Sequence, residues 1–305
     1  MAPTNTPDHD AHEHDDIFDR GLQFDMSTLL GRRKVLSVVA GAGAVALLAA
    51  CGAGNGGSSA TASSTAGTKA TTGAAAADAT TATTATTAAA AATDTSAANC
   101  SPIPEETAGP FPGDGSNGVN ILTESGVVRG DITASFGSST NVAEGVPLTI
   151  DLTITDTAAG CAPLAGAAVY VWHCDRDGNY SMYSAPEENY LRGVQETDAD
   201  GRVTFTSIFP ACYSGRWPHI HFEVYPDLDA TSDADNKLAT SQLALPEDTC
   251  DVVYATEGYE QSVRNMGQVS LTRDNVFRDD QAAQQLATMT GSVADGYTAS
   301  LALAI

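Results

Sequence analysis

Apolar and polar residues alternate along several short stretches in the second half of the chain. The clearest case is 148–155, Leu-Thr-Ile-Asp-Leu-Thr-Ile-Thr, where every second side chain is apolar. Because side chains of a β-strand point alternately to its two faces, this pattern predicts a strand with one buried face. Further strands are predicted at 167–173, 202–208 and 220–225, with weaker candidates at 238–245 and 252–254.

Turn-forming sequences separate these strands. Asp175-Arg-Asp-Gly178 follows one predicted strand, and Asp198-Ala-Asp-Gly201 precedes another. Short strands broken by Gly and Asp turns are typical of an all-β fold, here an antiparallel β-sandwich. One short helix is predicted, at 280–288, and the sequence shows no internal repeat.

The region before these strands has a different composition. Residues 52–99 are almost entirely Ala, Thr, Ser and Gly, with hardly any large apolar side chain. Such a segment buries too little apolar surface to offset the entropy lost on ordering. The sequence therefore predicts a disordered linker at 52–99 and one folded domain at 100–305.

Residues 1–51 carry the features of a bacterial export signal. Arg32-Arg33-Lys34 precedes the apolar run 35–50, which ends in small residues before Cys51. The paired arginines resemble a twin-arginine signal, and Leu48-Ala-Ala-Cys51 resembles a lipobox. The alternative is a transmembrane anchor, but the run is shorter than the roughly 20 residues that span a bilayer. We expect an exported lipoprotein of the cell surface or membrane, held by a lipid on Cys51.

Charge limits the possible partners. The chain has 14 Lys and Arg against 38 Asp and Glu, a formal net charge of −24. An acidic protein repels nucleic acids and anionic lipid headgroups, so we expect no nucleic-acid partner and no membrane contact beyond the anchor.

The cysteines suggest a disulfide. Five cysteines follow Cys51, and export favours disulfides over free thiols. The expected pair is Cys161 with Cys174, which flank the strand predicted at 167–173. An odd number of cysteines leaves at least one without an intramolecular partner.

The candidate chemistry centres on His219 and His221. They stand two residues apart in an apolar run, so on a strand both imidazoles project from the same face. Two neutral imidazoles that converge form half of a metal site. Histidines on a strand are, however, more often packing or surface residues. His173, beside Trp172 on a predicted core strand, is expected to be structural.

Neighbouring residues suggest the metal and the reaction. Tyr180 follows a strand and turn, and Tyr213 lies in the loop before the histidines. A tyrosinate is a hard anionic oxygen ligand that suits Fe(III), although either tyrosine would serve equally as an aromatic cap on the sandwich edge. Arg216 lies three residues before His219 and is suited either to stabilising substrate charge or to a surface salt bridge.

Four motifs in order resemble those of the intradiol ring-cleavage dioxygenases, which open catechols between the two hydroxyls. The similarity covers most of the folded domain, from about Glu106 to Gln242. The motifs are Glu-Thr-Ala-Gly-Pro-Phe from 106, the run 163–181 that ends Asp-Gly-Asn-Tyr-Ser, Tyr-Leu-Arg-Gly-Val-Gln at 190–195 with Thr-Asp at 197–198, and the segment from Ile208-Phe-Pro to His221.

The resemblance implies a β-sandwich catalytic domain with a non-haem Fe(III) cofactor. It implies an aromatic diol and O₂ as substrates and a muconate-type diacid as product. The implied metal ligands are Tyr180, Tyr213, His219 and His221, with Tyr213 leaving the metal when substrate binds. Arg216 matches an arginine that stabilises substrate charge, and Gln242 a glutamine near the oxygen site.

The chain also departs from the family pattern. Tyr170 stands where an acidic residue is typical, and Cys212 where related exported proteins often have an aromatic residue. The helical dimerisation region of soluble relatives is missing, which points to the exported single-domain branch. Two rival functions remain: a catalytically silent ligand- or metal-binding sandwich, and a ferrous enzyme with two histidines and a carboxylate such as Glu223.

Overall fold

A computed structural model describes residues 100–305 of the chain; the predicted export signal and linker lie outside the described residues. The strands are β1 (Pro147–Asp156), β2 (Ala162–Pro163), β3 (Ala168–Trp172), β4 (Arg192–Glu196), β5 (Arg202–Ile208), β6 (His219–Tyr225), β7 (Ala239–Ala244), β8 (Thr288–Ser292) and β9 (Gly296–Ala304). The α-helices are α1 (Glu247–Tyr254) and α2 (Glu260–Met266), and 3-10 turns occur at Asp229–Ser232, Ala234–Asn236 and Phe277–Asp279. Neither α-helix of residues 100–305 has the length and apolar character needed to cross a membrane.

The strands form two sheets. The first has the order β2-β1-β9-β8, and β5 also pairs with β1. The second has the order β4-β3-β6-β7. All pairs are antiparallel except β1 with β9, which run parallel. The all-β prediction is confirmed, with this one parallel pair added to the expected antiparallel arrangement.

The main hydrophobic core draws side chains from both sheets. In the first sheet β1 contributes alternate residues such as Leu148 and Leu152, as its pattern predicted. In the second sheet Val171, Ile220 and Phe222 face the same core. The opposite parity therefore sends His219 and His221 to the other face of the second sheet.

That other face is also buried. A second cluster covers it, in which sheet residues such as Tyr170 and Trp172 pack with Ile121, Leu122 and Val127 of the segment before β1. Backbone hydrogen bonds join this segment to the domain, among them Glu106 N to Thr240 O at 2.8 Å. The segment of residues 100–146, which precedes β1, thus covers this face of the second sheet and is called the cover below. The histidines lie between the sheet and this cover, where water is largely excluded.

Two predicted elements in the C-terminal third are wrong. The candidate strand 252–254 is the end of α1, which begins after Pro246 with Glu247 and Asp248 in its first turn and buries residues 249, 250, 253 and 254 on one helical face. The helix predicted at 280–288 does not form, because Gln281 and Ala282 have left-handed φ values of 59° and 58° and Thr288 begins β8. Strands β2, β4, β8 and β9 were not predicted.

The predicted Cys161–Cys174 disulfide is also wrong. Cys161 is bonded to Cys100, with Cα atoms 5.8 Å apart. Pairing of Ile103 N with Ala304 O at 2.8 Å carries the first described residues along the end of β9, near the turn that holds Cys161. Cys174 is instead a buried thiol that contacts the carbonyl of Ala211, and Cys212 and Cys250 are also free and buried.

Candidate metal centre

The two histidines of β6 meet at their Nε2 atoms. The His219 and His221 Nε2 atoms are 3.1 Å apart, and both residues are almost fully buried. The intervening Ile220 points into the main core, which fixes the strand and the projection of both imidazoles. The His-X-His pattern therefore produces the convergence that the sequence predicted.

Hydrogen bonding fixes the tautomer of His219. Its Nδ1 lies 2.5 Å from the carbonyl oxygen of Trp217, which can only accept, so Nδ1 carries the proton and Nε2 presents a lone pair. Burial lowers the pKa of His219 well below its usual value, and the nearby charge of Arg216 lowers it further. Burial also lowers the pKa of His221, with the neighbouring His219 as the next cause. Both imidazoles are thus neutral, as metal ligands must be.

Tyr213 lies beside this pair on the loop before β6. Its hydroxyl is 3.2 Å from His219 Nε2, and its ring meets the His219 ring edge to face. The loop turns at Gly215, whose φ of 83° favours glycine. Ser214 and Gly215 are exposed and Tyr213 is half-buried, so this tyrosine is the most accessible of the four predicted ligands.

Tyr180 approaches from the loop after β3. Asp175 organises that loop by accepting hydrogen bonds from the backbone N–H of Asp177 and Asn179, and Gly178 turns it with a φ of 90°. The Tyr180 ring centroid lies 5.9 Å from that of Tyr213 and 6.2 Å from that of His221. The four predicted ligands are therefore brought together on one face of the second sheet.

The Tyr180 hydroxyl is buried and lacks a well-aligned hydrogen-bond partner within residues 100–305. Burial raises the pKa of this phenol well above 10, and the adjacent Tyr213 raises it further. A buried polar atom without a partner is costly unless something else satisfies it. A cation bound between the phenols and imidazoles would satisfy it and stabilise the phenolate. Two imidazoles and two phenols thus form a donor set that fits a hard trivalent metal ion. Within residues 100–305, no group of three His, Cys, Asp or Glu side chains could hold a metal.

Arg216 is buried next to these ligands rather than exposed on the surface. Its Nε donates to Asp274 Oδ2 at 3.0 Å, and its Nη2 donates to Gln242 Oε1 at 2.6 Å. Gln242 Nε2 in turn donates to the carbonyl of Thr107 at 2.9 Å. The surface salt bridge that the sequence left open is excluded, since the Arg216 and Asp274 side chains are 3% and 0% exposed.

Arg192, Tyr170 and His173 make hydrogen bonds within the protein that give them structural roles. Arg192 donates to the carbonyls of Phe111, Pro112 and Ser181 and to the Tyr170 hydroxyl, so it braces the cover against the sheet. Tyr170, the departure from the family pattern, accepts that bond at 2.9 Å in place of an acidic residue. Both ring nitrogens of His173 are hydrogen-bonded, to the Cys174 carbonyl and the Ser207 hydroxyl.

Glu223 shares the face of the histidines but its carboxylate turns elsewhere. Lys237 Nζ lies 2.9 Å from Glu223 Oε1, and the Tyr225 hydroxyl donates to Oε2 at 2.8 Å. Burial raises the pKa of Glu223 to about 7, against the opposing effect of Lys237. A carboxylate with both oxygens engaged by these neighbours does not complete a two-histidine, one-carboxylate iron site.

Sequence reasoning missed two residues of the site. Asp274 gave no signal, because it is one of 38 acidic residues and its contact with Arg216 joins positions 58 residues apart. Trp172 was expected to be structural and is fully buried, but its contact with a predicted ligand was not foreseen: its indole stacks on the His221 ring with centroids 4.8 Å apart and an interplanar angle of 6°.

Comparisons with known proteins find similar sequences and a similar fold. The C-terminal dioxygenase family, described as Dioxygenase, matches residues 131–275. Catechol 1,2-dioxygenase 2 of Acinetobacter lwoffii is 46% identical over 54 residues, 17% of this chain and 19% of that protein. Hydroxyquinol 1,2-dioxygenase of Corynebacterium glutamicum is 37% identical over 71 residues, 23% of each chain. The matched region thus spans less than a quarter of either relative.

A solved structure is similar in fold over a larger share of the chain. The crystal structure of the dioxygenase Tetur07g02040 is 26% identical, with a TM-score of 0.53, and the alignment covers 68% of this chain and 95% of that one. Over residues 131–275 the chain thus resembles the dioxygenase family by sequence, and the relatives that it matches are intradiol ring-cleavage dioxygenases.

Proposed function

We propose that residues 100–305 form a non-haem Fe(III) dioxygenase that cleaves a catechol-type diol between its hydroxyls with O₂, giving a muconate-type diacid. One observation carries the proposal. Two neutral imidazoles and two phenols converge, and the buried Tyr180 hydroxyl lacks a well-aligned protein partner within the described residues. Bound Fe(III) would supply a Lewis acid that binds the diol and withdraws electron density from its ring.

The protein residues have separate roles in this proposal. His219 and His221 hold the metal through Nε2, since Nδ1 of His219 is committed to the Trp217 carbonyl. Tyr180, deeply buried, is a permanent ligand. Tyr213 is half-buried beside an exposed loop, so of the four residues it is the one that would move aside for the diol and accept a diol proton on its phenolate oxygen.

Arg216 and Gln242 complete the site beside the metal ligands. Gln242 is paired with His221 across β7 and β6, and it accepts from Arg216. A guanidinium held in a buried, preorganised position stabilises negative charge that develops on the substrate more strongly than one in water. Arg216 therefore serves to offset charge on the diol ring, and Gln242 orients it next to the oxygen site.

The visible spectrum tests this proposal. We expect the iron-loaded protein to be coloured by tyrosinate-to-iron charge transfer, and the band to shift when catechol is added without O₂. Tyr180→Phe and Tyr213→Phe should each change the band, whereas Tyr297→Phe on β9 should leave it unchanged. A colourless protein that binds no iron, or a band indifferent to both ligand variants, would contradict the proposal and favour a catalytically silent binding module.

Oxygen uptake then tests the reaction. With catechol present, the iron-loaded protein should consume one O₂ for each diol opened, with the diacid as product. Arg216→Gln should lower kcat by roughly 100-fold, on the order expected for loss of a preorganised charge contact. Binding and colour without oxygen uptake would identify a diol-binding module instead of an enzyme.

We further propose that the domain is exported and held at the membrane by a lipid on Cys51. The basic and apolar runs before Cys51 support this, as does the Cys100–Cys161 disulfide, a feature typical of oxidising compartments. Cys51→Ala should release the protein from the membrane fraction. A variant that remains fully membrane-bound would show that the apolar run itself is the anchor.

A further inference from the structure

The positive charge of Arg216, which lies beside the four predicted metal ligands, is neutralised by Asp274. Asp274 Oδ2 accepts from Arg216 Nε at 3.0 Å, and both side chains are buried. The same oxygen accepts from Trp217 N at 2.7 Å, and Oδ1 accepts from the backbone N–H groups of Val276 and Phe277. These four bonds fix the carboxylate against the guanidinium, so the pair presents almost no net charge to a ligand.

Arg192, a second buried arginine of this sheet, cannot contact a bound substrate. Arg192 on β4 is paired with Trp172 on β3, which separates it from His221 on β6, and Arg192 is 0% exposed. All three of its nitrogens donate to protein oxygens, which belong to the cover segment, to Ser181 and to Tyr170. Its positive charge is used to hold the cover and offers no donor to a substrate carboxylate.

The remainder of the domain adds negative charge. Residues 100–305 contain 9 Lys and Arg against 29 Asp and Glu, so the formal charge of this part is −20. Lys237, a half-buried cation near the same face, is paired with both Asp114 and Glu223. A ligand that carries a carboxylate therefore approaches an acidic surface and meets balanced cations at the site.

From this arrangement we infer that the site selects uncharged catechols over catechols with a ring carboxylate, and that Asp274 is the residue that sets this preference. The inference rests on the proposed function, because it concerns the diol site of that reaction. Asp274 acts through Arg216 and is a specificity-determining positioning residue. A paired guanidinium still donates hydrogen bonds to charge that develops next to it, but it attracts a distant carboxylate only weakly.

Two ligands of almost equal size and shape test the inference. These are 3,4-dihydroxybenzoate, which is anionic, and 3,4-dihydroxybenzamide, which is neutral. We expect the iron-loaded full chain, titrated calorimetrically without O₂ at low salt, to bind the benzamide at least roughly tenfold more tightly than the benzoate. Repulsion between the benzoate carboxylate and the acidic domain is expected to weaken benzoate binding by about this factor. The difference should shrink as salt is added, since the repulsion is screened.

Asp274→Asn tests the role of the carboxylate. This variant keeps an oxygen that accepts hydrogen bonds but leaves the Arg216 charge unbalanced, so the affinity ratio should move at least roughly tenfold toward the benzoate. Asp151→Asn is the matched control, because it removes the same charge from a pair with Arg202 on the other sheet. That control should leave the ratio nearly unchanged.

The outcomes separate the two levels of the proposal. Benzoate binding as tightly as benzamide in the unaltered protein overturns the inference while leaving the proposed function intact. The same holds if Asp274→Asn folds and leaves the ratio unchanged. Failure of both diols to bind contradicts the proposed function and the inference together. If Asp274→Asn does not fold, the comparison of the two ligands and its salt dependence still decides.

Discussion

The indole of Trp172 lies flat against the imidazole of His221, with ring centroids 4.8 Å apart. The two residues are directly paired across β3 and β6, in a row that also contains Arg192 on β4 and Gln242 on β7. Because cross-strand neighbours on one face of a sheet pack side by side, the sheet register itself orients His221. Its Nδ1 has no hydrogen-bond partner in the described part of the chain, so stacking has more weight than usual in fixing this ring.

Removing the indole should therefore affect both stability and metal binding. Trp172 is fully buried, so Trp172→Ala should lower the free energy of unfolding by about 3–5 kcal/mol. Trp172→Phe keeps an aromatic face against the imidazole and should retain iron far better than Trp172→Ala. Urea unfolding and iron content measure the two effects. Equal iron content in the two variants would show that stacking does not orient His221.

The unpartnered hydroxyl of Tyr180 makes a prediction that depends on the metal. In the metal-free protein, Tyr180→Phe should leave the free energy of unfolding unchanged or raise it by about 1 kcal/mol, because it removes a buried polar atom without an aligned partner. With iron bound, the same variant should be less stable than the parent protein. Thermal unfolding with and without iron measures the reversal.

Tyr170→Phe is the control for that experiment. The Tyr170 hydroxyl donates to the Pro112 carbonyl and accepts from Arg192, so its loss should destabilise the protein by about 1–3 kcal/mol. This effect should be the same with and without iron. If Tyr180→Phe behaved like Tyr170→Phe in the metal-free protein, the Tyr180 hydroxyl would have a partner in solution.

Local patterns predicted the strands that carry the site, because alternation and turn residues act over a few positions. The 202–208 strand and the projection of His219 and His221 from one face followed from the side-chain period alone. The choice of Tyr180 and Tyr213 as predicted ligands required the family resemblance, since nothing in their spacing distinguishes them from the other tyrosines.

Contacts between distant segments were beyond the reach of those patterns. The Cys100–Cys161 bond depends on pairing of the first described residues with the end of β9, and β9 was itself unpredicted. The Arg216–Asp274 pair likewise depends on how the chain after α2 returns to the sheet. The short helix α1 was mistaken in part for a strand, because Val252-Val-Tyr254 has high strand propensity and its helical burial pattern spans only eight residues.

Loss of the Cys100–Cys161 disulfide should destabilise the domain. The bond closes a loop with a sequence separation of 61, and the chain-entropy relation gives about 4 kcal/mol for a loop of this length. The double variant Cys100→Ser with Cys161→Ser should unfold at a correspondingly lower urea concentration, and added reductant should have the same effect on the parent. Cys174→Ala, which alters a buried free thiol, should leave the protein sensitive to reductant.

The buried carboxyl of Glu106 should make stability depend on pH. Glu106 is 5% exposed, and Gln285 Nε2 approaches its Oε1 at 3.4 Å. Burial raises the pKa of Glu106 from 4.5 to about 8, the charge of Asp279 raises it further, and Gln285 and Arg216 oppose the rise. Between these two pH values the folded protein keeps a proton that the unfolded chain releases. The free energy of unfolding therefore falls as pH rises from about 4.5 to 8.

Glu106→Gln should remove this part of the pH dependence, because the amide resembles the protonated carboxyl and does not ionise. At pH 5 the variant and the parent should have similar stability, whereas at pH 8.5 the variant should be more stable by roughly 2–4 kcal/mol, given about 1.4 kcal/mol for each pKa unit. Urea unfolding across this range measures the difference. Buried Glu223 also has a raised pKa and contributes in the same direction in both proteins, so the comparison isolates Glu106.

Glu188→Gln is the control of opposite sign. Hydrogen bonds from Ser135, Asn141 and Ser139 lower the pKa of Glu188, so its ionised form stabilises the fold. That variant should be less stable than the parent at neutral pH, and the difference should shrink as pH falls through the carboxyl range. If Glu106→Gln lost stability at pH 8.5 as Glu188→Gln does, Glu106 would be ionised in the folded protein. The attraction of Arg216 for the ionised Glu106 carboxylate would then outweigh burial and the repulsion of Asp279.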